Sequence, residues 1–187
     1  MALQDLARKL TYEDYALIPE DGQRHEIIDG EHYVSPAPTL SHQRLAFRLT
    51  LRVGGFVEAN HLGLFFFAPA DVLLSAHDVV QPDLLFVSKE RAEIVGLENI
   101  KGAPDLVIEI LSKSTLRLDK GPKLKAYERW GVREYWMFDR FQRGVLPWKR
   151  SGKSLRPRPF LSAAAKDVLT SPLLPGFELP LAEIFES

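Results

Sequence analysis

The 187 residues, 45% apolar and 26% charged, suit one globular domain over 1–187, and no run nears the ~18 apolar residues that would span a membrane. A net charge of −1 argues against a constitutive, high-affinity nucleic-acid binder, and the lack of cysteine excludes disulfides, thiolate nucleophiles and Cys-based zinc sites, so any metal must use oxygen or imidazole. The opening MALQDLARKL has neither the apolar core nor the cleavage site of a signal peptide, which makes the cytoplasm the expected location.

In chain order, Thr11-Tyr-Glu-Asp14 has the capping-box form and predicts a helix to about Leu17, ended by Pro19. HEIIDGEHYVSP reads as two short strands joined at Asp29-Gly30, the pair that best fits a two-residue hairpin turn, with Glu26 and Ile28 on one face of the first. From Ser41 to Asn60, Leu45, Leu49, Val53 and Phe56 recur at helical spacing, although Gly54-Gly55 weakens the second half. LFFFAPADVLLS and VVQPDLLFVS then have strand composition, with a turn at His77-Asp78 between them. Ser88-Lys-Glu90 predicts a short helix through Val95.

Asp105 to Leu111 is an almost unbroken apolar run with β-branched Val107, Ile108 and Ile110, the pattern of a strand covered on both faces. Pro122 fits the first turn of a following helix that Gly131 closes, and Glu134 to Asp139 is another strand. Gly144 to Lys149 follows as a strand, whereas Pro157 and Pro159 confine Leu155 to Leu161 to a sheet edge or loop. Leu174-Pro-Gly-Phe177 is a turn before a short helical tail. The sum is an α/β domain with a mixed sheet.

Charge is unevenly spread. Residues 1–31 hold three basic and eight acidic side chains, while Lys113 to Arg158 holds fourteen basic against four acidic. Such asymmetry hints at a polyanion surface, and equally at a strand edge guarded by Lys and Arg. Trp148 and Phe160 are candidate stacking groups within it. Trp130, Tyr135 and Trp136 are assigned to core packing.

Two acids stand out in apolar strands: Asp83, after Pro82, and Glu109 within LVIEIL. A carboxylate there is costly unless a cation or several donors meet it. For Glu109 the partner is either a metal ion or a salt-bridged lysine, Lys113 or Lys123; for Asp83 alone a turn-capping role is the simpler account. Together they would raise each other's pKa unless a cation lies between them, and Mg²⁺ or Mn²⁺ favours such oxygens. The histidines, His25, His32, His42, His61 and His77, have no HExxH-type spacing and read as surface or capping residues. Ser112 and Ser114 lack a GxSxG elbow, and no phosphate-binding glycine loop is present.

The ordered set HEIIDGE, SPAPTLSHQ, QPDLLFV, APDLVIEILSKST, the spacing Asp119, Lys123, Tyr127 followed by GVREYWMFD, and the tail LLPGFELPLAEIF resembles the Uma-two family, a restriction-endonuclease-like group of the PD-(D/E)XK nuclease superfamily. The resemblance runs from about Thr11 to Phe185. It implies a restriction-endonuclease-like core, a mixed central sheet flanked by helices with an N-terminal helix and hairpin. It also implies that Asp83 and Glu109 ligate metal with Glu26 as an additional acid. The superfamily pattern would put lysine at 111, where this chain has Leu111; the family lysine then falls at Lys123, on the helical face of Tyr127, with Lys113 as a rival.

The activity so implied is Mg²⁺- or Mn²⁺-dependent phosphodiester hydrolysis, on DNA in preference to RNA, with Glu26, Asp83, Glu109 and Lys123 catalytic. Lys113, Lys120, Arg140, Arg143, Lys149 and Arg150 would track the backbone. A homodimer is expected, with the helix from Ser41 and the stretch from Leu155 to Leu161 as contact surfaces. The alternative is a nuclease fold that no longer cuts and serves as an interaction module.

Overall fold

The computed structural model describes residues 8–185, so the reading of MALQDLARKL falls largely outside the described residues. Thr11 caps α1 (Tyr12–Tyr15) with its hydroxyl, and Asp14 returns a carboxylate to the Thr11 N–H. The hairpin of β1 (Arg24–Ile28) and β2 (Glu31–Ser35) turns at Asp29 and Gly30, whose φ values of 53° and 79° are those of a type I′ turn. The long helix is continuous: α2 (Leu40–Leu49) passes through a π turn, Thr50–Gly54, into α3 (Gly55–Ala59). Leu45, Leu49, Val53 and Val57 form its buried stripe, and Phe56 lies at the margin. Gly54 serves a close approach, since a Cβ there would stand 2.8 Å from the Phe65 ring.

The two apolar runs become four strands. LFFFAPADVLLS gives β3 (Gly63–Phe67) and β4 (Val72–Ser75), and VVQPDLLFVS gives β5 (Asp78–Val80) and β6 (Leu84–Ser88). Each run breaks at a proline, which cannot donate to a ladder, and its halves enter different sheets. After a 3₁₀ turn at Lys89–Ile94, where Ser88 provides no side-chain cap, come β7 (Ile100–Lys101) and β8 (Leu106–Leu111). The next helix starts earlier than expected: α4 (Leu116–Leu118) leads through a π turn, Asp119–Lys123, into α5 (Leu124–Trp130). Pro122 is therefore interior, and the π turn coincides with the place where its ring would strain a regular α-helix. Gly131, at φ 98°, closes the helix.

The remaining elements are β9 (Glu134–Asp139), β10 (Gly144–Ser151), β11 (Ser154–Pro157), β12 (Leu161–Ser162), β13 (Val168–Thr170), β14 (Glu178–Pro180) and α6 (Leu181–Phe185). The larger sheet runs β11-β10-β9-β8-β6-β3, with β12 also on β10; only β8 and β9 in it are parallel. A smaller sheet runs β2-β1-β5-β4-β7, and β13 and β14 pair alone.

β8 is buried at every position, and its alternation divides the core. Leu106, Ile108 and Ile110 face α2 and the C-terminal residues Leu174 and Phe177, while Val107 and Leu111 face α5 and the smaller sheet. Tyr135 and Trp136 are fully buried, as expected. Trp130 is not core: it is 40% exposed and its indole N–H donates to Asp78. Trp148, expected as an exposed stacking group, packs against the second core cluster.

The hairpin turn places β1 against the larger sheet, so it is a point where one methyl group should be felt. Gly30→Ala puts a side chain at positive φ and its Cβ 2.5 Å from the Lys9 Cβ. A loss of about 1–3 kcal/mol is expected, read as a lower urea midpoint at unchanged slope.

Candidate active site

Register brings the two acids together. Leu84 pairs with Ile108 in antiparallel β6 and β8, and one step further sets Asp83 across from Glu109, both on the face of Leu85, Val87 and Val107. The Ile110 N–H donates to Asp83 Oδ2 at 2.8 Å, and the Asp83 N–H reaches Glu109 Oε2 at 3.4 Å. β1 contributes by the same period of two: Arg24, Glu26 and Ile28 share the face turned to the larger sheet. Arg24 meets Asp83 Oδ1 at 2.9 Å, and Glu26 accepts from the Gln81 N–H at 2.8 Å.

The helix supplies the rest at a four-residue interval. Lys123 Nζ lies 2.6 Å from Glu109 Oε1, 2.9 Å from Glu26 Oε1 and 3.8 Å from Asp119 Oδ1. The Tyr127 hydroxyl donates to Glu109 Oε1 at 2.9 Å. Of the two partners that the sequence left open for Glu109, the structure gives Lys123. Lys113 is exposed beyond the end of β8, beside the Phe141 ring. Lys123 has only 2% of its surface exposed, so it touches carboxylates rather than solvent.

Four residues were missed or underread. Arg24 lay one position outside the predicted strand, two residues before Glu26 and hence on its face. His42 was read as a surface or capping residue; its Nε2 lies 3.1 Å from Asp83 Oδ2, and its place within SPAPTLSHQ was the available signal. Asp119 and Tyr127 entered only as motif spacing, although four-residue steps from Lys123 place both on its face.

Apart from the fully buried Tyr127, these side chains line a pocket of about 450 Å³ whose lining also includes Thr39, Ser112, Lys113, Arg140 and Phe141. Arg140 stacks over Phe141 and donates to Thr39 and Ser41. The other expected backbone contacts lie elsewhere. Arg143 donates to the Phe185 carbonyl, and Lys120 is exposed on the outer side of the helix. Lys149 faces Glu134 and the Thr170 carbonyl. Arg150 is spent on the carbonyls of Tyr127, Glu128, Val132 and Lys153, tying the end of α5 to the β10-β11 hairpin.

Glu26, Asp83, Glu109 and Asp119 are buried with Lys123 and the mostly covered Arg24, so negative charge is in surplus. Burial raises Glu109 to about 8; Lys123 opposes this, while Asp83, Asp119 and Glu26 add to it. Burial likewise raises Asp119 to about 6 against the pull of Lys123. For Asp83 burial is outweighed by His42, Arg24 and the Ile110 N–H, which hold its carboxyl well below the usual range. Lys123 is kept protonated: burial works against the charge, but Glu109, Glu26 and Asp119 overcome it.

This donor set matches a hard divalent cation in type and charge, being all oxygen apart from one imidazole, with acid in excess. Glu109 Oε2, moreover, has a long contact from the Asp83 N–H at 3.4 Å. As they stand, no three His, Asp or Glu side chains among those residues are grouped to hold an ion. Arg24 and Lys123 take the cationic places.

The proton balance sets a pH dependence. Glu109 and Asp119 bind protons more tightly in the fold than at their ordinary values of 4.5 and 3.8, so their stabilising contribution is full below those values. It is lost as pH rises through about 6 for Asp119 and about 8 for Glu109. Melting temperature, measured in chelator from about pH 5 to about pH 9, should fall across this window, and Glu109→Gln should flatten the upper part. An unchanged slope in the variant would show that Glu109 does not carry the effect.

No curated protein matches the chain. Among solved structures, one described as a putative nuclease from Anabaena variabilis superposes with a TM-score of 0.75 at 18% identity, covering 94% of this chain and 97% of that one. That likeness shows that the two chains share one mixed α/β fold. The family model Uma2, described as a putative restriction endonuclease, matches residues 12–182, and the chain belongs to that family.

Proposed function

We propose that this protein is a metal-dependent endonuclease that hydrolyses phosphodiester bonds, DNA in preference to RNA. The observation that carries the reading is the register that sets Asp83 and Glu109 side by side on one buried face at the floor of an open pocket, in a chain of a restriction-endonuclease family. Asp83 and Glu109, with Glu26 beside them, would hold Mg²⁺ or Mn²⁺, and the neutral-range proton affinity of Glu109 marks the place where added positive charge is most favoured. Such an ion, when bound, supplies an activated water and neutralises charge developing on phosphate.

The chain's own residues do the rest. Lys123 stays protonated and fixes the Glu26 and Glu109 oxygens, while the Tyr127 hydroxyl donates to the same Glu109 oxygen. Lys113 and Arg140 on the rim would meet backbone phosphates, and the hydroxyls of Thr39, Ser112 and Ser114 would add donors. The chain is taken as a single cytoplasmic domain over 1–187 that works as a homodimer.

A non-cutting interaction module is the second reading, and one observation favours it: Arg24 already neutralises Asp83. Cleavage separates the two. Incubation of plasmid, single-stranded DNA and RNA with Mg²⁺ or Mn²⁺ should show nicking that chelator abolishes and that Glu109→Ala lowers at least about a hundredfold. No cleavage of any substrate under either ion would overturn the first reading. A separate expectation concerns the rim: Lys113→Ala should weaken substrate binding and reduce the slope of log K against log salt by about 0.7–0.9, one phosphate contact's worth.

A further inference from the structure

A second depression adjoins the acid pocket. It is a groove of about 720 Å³ between one face of α2 and the bend at Ala68-Pro69, and it shares Arg24, His42 and Asp83 with the pocket. Its volume is in the ~300–1,000 Å³ range of small-ligand sites. The helix presents Gln43, Ala46, Phe47 and Thr50 to it, the three- and four-residue steps of a single face. Phe67, the last residue of β3, lies opposite. Phe47 and Phe67 are each 63% exposed, which for two rings lining the same groove is an unusual outlay of apolar surface in contact with water. The lining carries one acid, Asp83, and that acid is neutralised by Arg24 and hydrogen-bonded to His42.

We propose that this groove receives unstacked nucleobases of a single strand whose backbone crosses the acid pocket, with Phe47 and Phe67 as stacking faces and the exposed Gln43 amide at base edges. The proposal rests on the phosphodiester reading above and adds the substrate class: a strand that is single, or locally opened, beside the scissile bond. Continuity decides the occupant. A protein seated in the groove would cover Asp83 and His42 and close the pocket, whereas a nucleic-acid strand needs both depressions at once. A base offers a π-face to each phenylalanine, and its polar edge suits an amide that donates and accepts. A stacked duplex hides those faces, so the groove discriminates against it.

The test measures binding apart from cutting. Fluorescence anisotropy in chelator would compare a labelled single strand with its blunt duplex, using the wild type, Phe47→Ala, Phe67→Ala and Leu97→Ala. Both phenylalanines are exposed, so their removal leaves the core intact. The wild type should prefer the single strand, and each phenylalanine variant should lose about tenfold in affinity for it while duplex binding stays within about twofold. Leu97→Ala, at an exposed position outside both depressions, should bind both as the wild type does. Equal loss on single strand and duplex, or no loss, overturns the proposal. So does a shift from dimer to monomer in Phe47→Ala by light scattering with strand affinity unchanged, which would assign the groove to a second copy. Single-strand binding that depends on both rings, without cleavage under any ion, supports the groove and overturns hydrolysis alone.

Discussion

The ammonium of Lys123 is the contact through which three separate elements of this fold meet. Glu26 comes from the smaller sheet, Glu109 from the centre of the larger sheet, and Lys123 from the helix laid across them, all with almost no exposure. Transferring such groups from water costs several kcal/mol each, so the cluster is weak evidence for added stability and strong evidence for a fixed arrangement. Removing one partner would leave the others charged and buried. The helix, the hairpin and strand β8 are thereby held to one relative position, and the acid pocket is what that position creates.

The electrostatics of the cluster explain why its members behave differently although most are carboxylates. Asp83 has the richest set of partners, with a guanidinium, an imidazole and a backbone N–H, and it stays ionised. Glu109 shares its lysine with Glu26 and Asp119, faces three like charges, and is the group that takes up a proton near neutrality. Neighbouring acids shifted in opposite directions are a common feature of sites that handle protons or cations. The π turn at Asp119–Lys123 contributes locally, because the residues it spans carry two helix-borne members of the cluster, Asp119 and Lys123, and Pro122 between them.

The basic stretch shows how the same residue type divides between structure and surface. Arg150 and Lys149 lie in a run free of acids along the sequence, yet one caps a helix end through carbonyls and the other faces a buried glutamate from β9. Arg140 and Lys113, less conspicuous in the sequence, reach the pocket rim beside Phe141. Linear charge density measures how many cations a segment holds; it carries nothing about which carbonyls or acids the fold will bring to them.

The sequence by itself determined the elements and the parity within them. Asp29-Gly30 specified a hairpin because both positions need positive φ, and the apolar run at 106–111 specified a strand buried on two faces because only alternation about a covered sheet tolerates it. Asp83 and Glu109 were legible because a charge in an apolar strand demands a partner, and Glu26 entered through the family resemblance. Tertiary structure alone decided who the partners are. Whether Glu109 meets Lys113 or Lys123, whether Asp83 meets Arg24 and His42, and which sheet receives each half of a proline-broken run depend on pairings between residues tens of positions apart. Such pairings follow from strand register and from how the helices cover the sheet, and no local periodicity encodes them.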